Sequence, residues 1–187
     1  QGPGYWAVTK HADILRSSRE PKLFCSSKGA TSIPDMPVPF LEFFGGFINM
    51  DDPRHMRQRK LVSVGFTKNR LARLDQEVEA AARDAIDGVI EKGECDFVTD
   101  LSAPFPIRII CEMMGIDPDL HDEVFHMSNI VLSQGDPEYI DEGTEPLAAL
   151  LGSGAGLAEI MNRTADERRG RDGEDLPSVL VIAEVDG

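Results

Sequence analysis

Apolar residues recur at helical spacing along most of the chain. From about Asn69 to Lys92 the positions Leu71, Leu74, Val78, Ala82, Ala85 and Val89 repeat at three and four, and this predicts one amphipathic helix with a single buried stripe, closed by Gly93. Asp100 to Met114 reads as a second helix despite Pro104 and Pro106, with Gly115 ending it. Asp117-Pro118 starts another, which carries Val124, Phe125, Met127, Ile130, Val131 and Leu132. Tyr139 to Arg169 is helical by pattern. Gly152, Gly154 and Gly156 interrupt it, each costing about 1 kcal/mol against alanine, which predicts a kink or a weak turn. A short last helix covers Asp175 to Glu184.

Nearer the start, Tyr5–Val8 reads as a short strand, and Thr9 can cap a helix from Lys10 to about Ser18 that Pro21 stops. A second short strand is expected at Cys95–Val98. The class is mainly α with minor β. Cys25 to Met50 differs from everything else, being rich in Gly and Pro yet carrying Ile33, Met36, Phe40, Leu41, Phe43, Phe44, Phe47 and Ile48. It is too apolar for a disordered linker and reads as a functional loop, with one helical turn, that folds over something apolar. Asp51-Asp52-Pro53 then starts a helix running to about Val64.

The 187 residues suit one domain or a large piece of one, and no apolar stretch approaches the roughly 18 residues of a membrane span. No signal peptide is visible. Three scattered cysteines, Cys25, Cys95 and Cys111, form neither a disulfide framework nor a metal-ligand spacing, which fits a cytoplasmic setting and free thiols. The net charge of -14 is uneven: Pro53 to Leu74 holds seven Lys/Arg and no acid, leaving -21 on the rest. That balance excludes a general nucleic-acid binder and points instead to one defined anionic partner for the cationic segment.

Within that segment His55 and Arg59 stand four apart and share a helix face, where together they can grip a pair of carboxylates. Arg54, Arg57 and Lys60 point elsewhere around the helix. The plainer reading is a solvated basic helix balanced by an acidic surface.

Four segments in order resemble the bacterial cytochromes P-450: YWAVTKHADILRSSREPKLFCSS, FINMDDPRHMRQRKLVSVGFT, CDFVTDLSAPFPIRIICEMMGI and DERRGRDGEDLPSVLVIAE. The second is the most specific, a D-x-P-x-H-x-x-x-R helix opening after a Phe/Gly-rich loop. The resemblance implies the N-terminal portion of the P-450 fold, as a single partial domain over residues 1–187. It implies a haem-thiolate monooxygenase as the parent protein, hydroxylating an apolar small-molecule substrate with O2 and electrons from a ferredoxin. It also implies that His55 and Arg59 bind the haem propionates, and that Arg57 and Lys60, with Arg54 and Arg70, form the ferredoxin-docking surface. The substrate wall would include Phe44, Phe47, Ile48 and Met50. The loop looks most like actinobacterial members acting on sterol side chains, branched lipids or terpenoids.

The departures are as informative. The family's iron ligand lies in an F-x-x-G-x-x-x-C-x-G loop, yet seven residues before Cys25, Cys95 and Cys111 stand Ser18, Gly88 and Pro104. The E-x-x-R motif and the oxygen-activating acid–alcohol pair are absent. In the family all three come after the point reached at Gly187, so no catalytic or metal-ligating residue is expected here. The 187 residues alone are expected to be inactive, the alternative being a non-catalytic helical module that binds an acidic protein or anion through helix 53–64.

Overall fold

The computed structural model describes residues 4–29, 33, 37–43, 45–133, 135–170, 173 and 175–182, with Arg70 described by its backbone alone. Among them every regular element is helical, and the chain divides into two compact units, Gln1–Ser63 and Val64–Gly187.

The first unit contains α1 (His11–Arg19), α2 (Val38–Phe43), a 3-10 turn at Phe47–Asn49 and α3 (Arg54–Ser63). No described residue of this unit is fully buried. Lys10, not Thr9, is the N-cap of α1, and it makes no side-chain cap. Tyr5–Val8 is not a strand. A strand is made by the ladder bonds of a neighbour, and no described residue pairs with it, so Trp6 stands 97% exposed.

The long apolar loop contains two helical pieces where one turn was expected. Its two ends are tied by Asp51. The carboxylate accepts from the backbone N–H groups of Ser26 (2.8 Å) and Ser27 (3.3 Å), while the Asp51 carbonyl accepts from the His55 N–H (3.0 Å) in the first turn of α3. The expected carboxylate cap of α3 is thus spent on the loop neck, and the helix begins at Arg54.

The second unit has α4 (Lys68–Ile90), α5 (Pro104–Met113), α6 (His121–Ser133), α7 (Pro146–Arg168) and α8 (Leu176–Ile182). Cys111, Ile116, Val124, Met127 and Ile160 form its core, with Ile107, Met114, Leu120, Leu157 and Met161 against them. The stripe of α4 turns slightly from its predicted line: Ala81 is buried and Leu71 is exposed.

Two expectations fail for identifiable reasons. Cys95–Val98 is not a strand, because Phe97–Ser102 winds into a π-helical turn. The Asp96 carboxylate accepts from the Val98 and Thr99 N–H groups at 2.9 and 2.8 Å, and Asp100 accepts from the Asp96 N–H at 2.9 Å. Such side-chain bonds offer the backbone an alternative to a ladder. The α7 helix runs unbroken through its three glycines. A Cβ on Gly156 would stand 2.5 Å from the Met127 sulfur, so the missing side chain is what lets α6 and α7 close. Packing energy on this face exceeds the propensity cost.

At the α5–α6 junction Gly115 has φ +61°, a left-handed C-terminal stop, and its carbonyl accepts from Arg168 Nη2 at 2.6 Å. Arg168 Nη1 donates to the Thr164 carbonyl (3.2 Å) and Nε to Asp175 Oδ1 (3.2 Å), which in turn accepts from the Ser178 N–H (2.8 Å) at the head of α8. Burial pushes the Asp175 carboxyl up, but the Ser178 N–H and hydroxyl and the Arg168 guanidinium outweigh it, and the net shift is downward. One half-buried guanidinium therefore joins α5, α7 and α8.

Candidate functional site

The cationic segment folds as expected into α3, RHMRQRKLVS, directly after the loop and its 3-10 turn. His55 is half-buried, with 33% of its side chain exposed, and Nδ1 lies 3.6 Å from Asp52 Oδ1. Phe47, from the 3-10 turn, packs on the imidazole with ring centroids 6.1 Å apart and planes inclined at 40°. Arg59 follows one turn later, exposed, and forms no ion pair among the described residues. The site thus consists of an imidazole beside two neighbours and, one turn on, an exposed guanidinium on the same face of one helix.

The remaining sequence-predicted residues fall into three groups. Arg54, Arg57 and Lys60 are exposed on α3. Ile48 is 58% exposed, whereas Phe47 and Met50 are half-buried, so Phe47 serves His55 as well as the loop. Phe44 and the side chain of Arg70 lie outside the described residues.

Sequence reasoning missed the partners of His55. Asp52 reads as part of a helix start, and only its place three residues before a histidine hints at an ion pair. Asp51 carries no sequence signal for its bond to Ser26, 25 residues away. The Ser26 N–H first, then Ser27, hold the Asp51 carboxyl below the usual carboxylate value of 3.8, against a smaller opposing effect of burial. Asn49 Oδ1 is buried without a hydrogen-bond partner. An unpaired acceptor suits a donor, not an anion, so Asn49 does not extend the cationic grip.

None of the three thiols is placed as a metal ligand by this site. Cys25 and Cys95 are exposed, and Cys111 is fully buried in the core of the second unit, where burial and then the neighbouring Glu112 carboxylate push its pKa up. A ligating cysteine must be a thiolate, which such surroundings disfavour. No helix among the described residues is long and apolar enough to cross a membrane.

No protein-family model matches the chain. Individual relatives do. A methyl-branched lipid omega-hydroxylase of Mycobacterium tuberculosis is 38% identical over 189 residues, covering 100% of this chain and 43% of that protein. A steroid C26-monooxygenase of Mycolicibacterium smegmatis is 35% identical over 185 residues, 98% of this chain and 43% of that one. Among solved structures, a Mycobacterium marinum cytochrome P450 in complex with pseudoionone superposes with a TM-score of 0.89 at 38% identity, covering 100% of this chain and 46% of its own. The chain therefore spans less than half the length of the relatives it matches. In sequence and in fold alike, it belongs to the cytochrome P450 family, matching the N-terminal portion of that fold.

Proposed function

We propose that this chain supplies the propionate grip, part of the substrate wall and the partner-docking face of a cytoplasmic haem monooxygenase. That enzyme hydroxylates an apolar, lipid-like substrate with O2 and electrons from a ferredoxin-type partner. The observation that carries the reading is the His55–Arg59 face of α3, with Phe47 packed on the imidazole at 6.1 Å.

The residues present fit the anionic edge of a haem and not its iron. A half-buried imidazole and an unengaged guanidinium one turn apart match two carboxylates, and each charge-assisted hydrogen bond is worth about 1.5–3 kcal/mol. The thiols do not fit the iron, since Cys111 is a core residue and the other two sit outside the site. Haem, when bound, supplies the oxygen chemistry. The work of this chain is to orient and to exclude: His55 and Arg59 fix the propionate edge, while Phe47, Ile48 and Met50, with Phe44, keep water from an apolar ligand. Arg57 and Lys60 face away from the grip and steer an acidic protein toward it. Without an iron-ligating thiolate the 187 residues turn over nothing by themselves.

The test is haem loading. In the full-length protein carrying this chain, His55→Ala with Arg59→Ala lowers haem content several-fold, measured as the haem-to-protein absorbance ratio. Unchanged loading sinks the reading. A second reading, a non-catalytic module that docks an acidic partner through α3, is favoured by the exposure of Arg54, Arg57, Arg59 and Lys60 together. It predicts that the double variant weakens the protein partner and leaves no haem to lose.

A further inference from the structure

We infer that Asp52 is the positioning residue for His55, its charge favouring the proton on Nδ1 so that the bound anion is met by Nε2 of a doubly protonated ring. The inference rests on the reading of His55 as an anion-gripping residue and adds the group that sets its protonation pattern.

The argument begins with the donor inventory. A neutral imidazole has one N–H and one lone pair, and the hydrogen bond made by one nitrogen decides which nitrogen carries the proton. Asp52 Oδ1 lies 3.6 Å from Nδ1, beyond hydrogen-bond distance but close enough for its charge to favour a proton there. The Phe47 ring lies beside the imidazole, centroids 6.1 Å apart and planes inclined at 40°. Among the described residues Asp51, which precedes Asp52, also interacts electrostatically with the ring, and Arg59 lies one turn along α3.

With Nδ1–H turned to Asp52, the neutral ring offers only a lone pair at Nε2, and a lone pair repels a carboxylate. An anion can settle at Nε2 only if the ring takes up a second proton from solvent. His55 then stands between two carboxylates, attracted to Asp52 by charge on one side and donating from Nε2 to the ligand on the other. Asp52 thereby makes the grip cationic at the moment it is needed, and anion binding is linked to the uptake of one proton. This does not follow from the pairing of His55 with Arg59, which would hold for either tautomer.

The experiment uses nitrogen NMR of the His55 side chain in the 187-residue chain, well above the ordinary imidazole titration range, where the tautomers are distinguished by their ring 15N shifts. The Nδ1–H form dominates in the wild type. Asp52→Ala shifts the tautomer ratio toward Nε2–H by less than the roughly fivefold that a contact between two full charges would give at this separation in water, because both tautomers are neutral. Asp52→Glu restores part of the shift. Because Asp52 is exposed, neither variant threatens the fold. A wild-type ring that is mainly Nε2–H, or a ratio indifferent to Asp52→Ala, overturns the inference. A full-length protein that keeps its haem in His55→Ala while the tautomer result stands overturns the haem reading and leaves the role of Asp52 intact.

Discussion

Gly115→Ala tests the account of the second unit at its most constrained point. The backbone there has φ +61°, where an L side chain costs about 1–2 kcal/mol. A Cβ would also stand 2.5 Å from Arg168 Nη2, 3.0 Å from Cζ and 3.1 Å from Nε. The end of a long side chain ordinarily swings aside at little cost. Here it is pinned by the Gly115 and Thr164 carbonyls and by Asp175, so moving it breaks at least the 2.6 Å bond to Gly115. A hydrogen bond to a charged group contributes about 1.5–3 kcal/mol, and the lower end applies because 21% of the Arg168 side chain is exposed.

The expected loss is about 3 kcal/mol, or roughly 12 °C in Tm for a unit of this size. Urea unfolding followed by helical circular dichroism measures it. The decisive comparison is a double-mutant cycle with Arg168→Met, which keeps the aliphatic stem and removes the donors. In that background Gly115→Ala retains only the backbone cost, so the coupling is about 1.5 kcal/mol. Equal costs in both backgrounds refute the steric argument, and a loss below about 1 kcal/mol refutes the left-handed constraint as well.

Asp51 makes the neck of the apolar loop pH-dependent. Its folded pKa is depressed, so its stabilisation is complete above the ordinary carboxylate value of 3.8 and is lost as pH falls through the lower folded value. Amide exchange at Ser26 and Ser27, expressed as protection, falls in wild type only under that acid condition and in Asp51→Ala at neutral pH; protection that survives the substitution argues against the tie. In the full-length protein, charge reversal at Arg57 or Lys60 slows reduction by an acidic ferredoxin and flattens its salt dependence; rates insensitive to both place the docking face elsewhere. The isolated chain, reduced and exposed to carbon monoxide with added haem, gives no red-shifted thiolate band; a clear band means that Cys25, Cys95 or Cys111 can ligate iron.

How far the sequence could be read depended on the range of the interaction concerned. The α4 stripe was legible because 3.6-residue periodicity is local, yet it missed Ala81, since spacing alone does not say which of two adjacent alanines meets a neighbour. The kink expected in α7 came from the propensity of glycine in an isolated helix. Gly156 instead answers to Met127, about thirty residues away, which no local rule contains. The strand at Cys95–Val98 failed for a local reason of another kind: Asp96 and Asp100 bond their own backbone, and hydrophobic alternation is blind to that. That His55 and Arg59 fall on one helix was legible from their spacing, while the neighbours of His55, Phe47 and Asp52, were read as pocket wall and helix start.

The thiols sharpen what kind of site this chain carries. Cys111 is the most buried side chain of the described core, packed among Ile116, Val124, Met127 and Ile160, and its proton is held more tightly than in water. A group in that state packs as a small hydrophobe and neither attacks nor ligates. Arg168 of the second unit is likewise spent internally, on the Gly115 and Thr164 carbonyls and Asp175. What is left for a ligand among these groups sits on α3: Arg59 without an ion pair among the described residues, and the imidazole of His55, whose Nδ1 lies 3.6 Å from Asp52. Neither group is placed beside a nucleophile or a metal-ligating thiolate among the described residues, so on the proposed reading the oxygen chemistry comes from a bound group and this chain helps set where the anionic edge of that group lies.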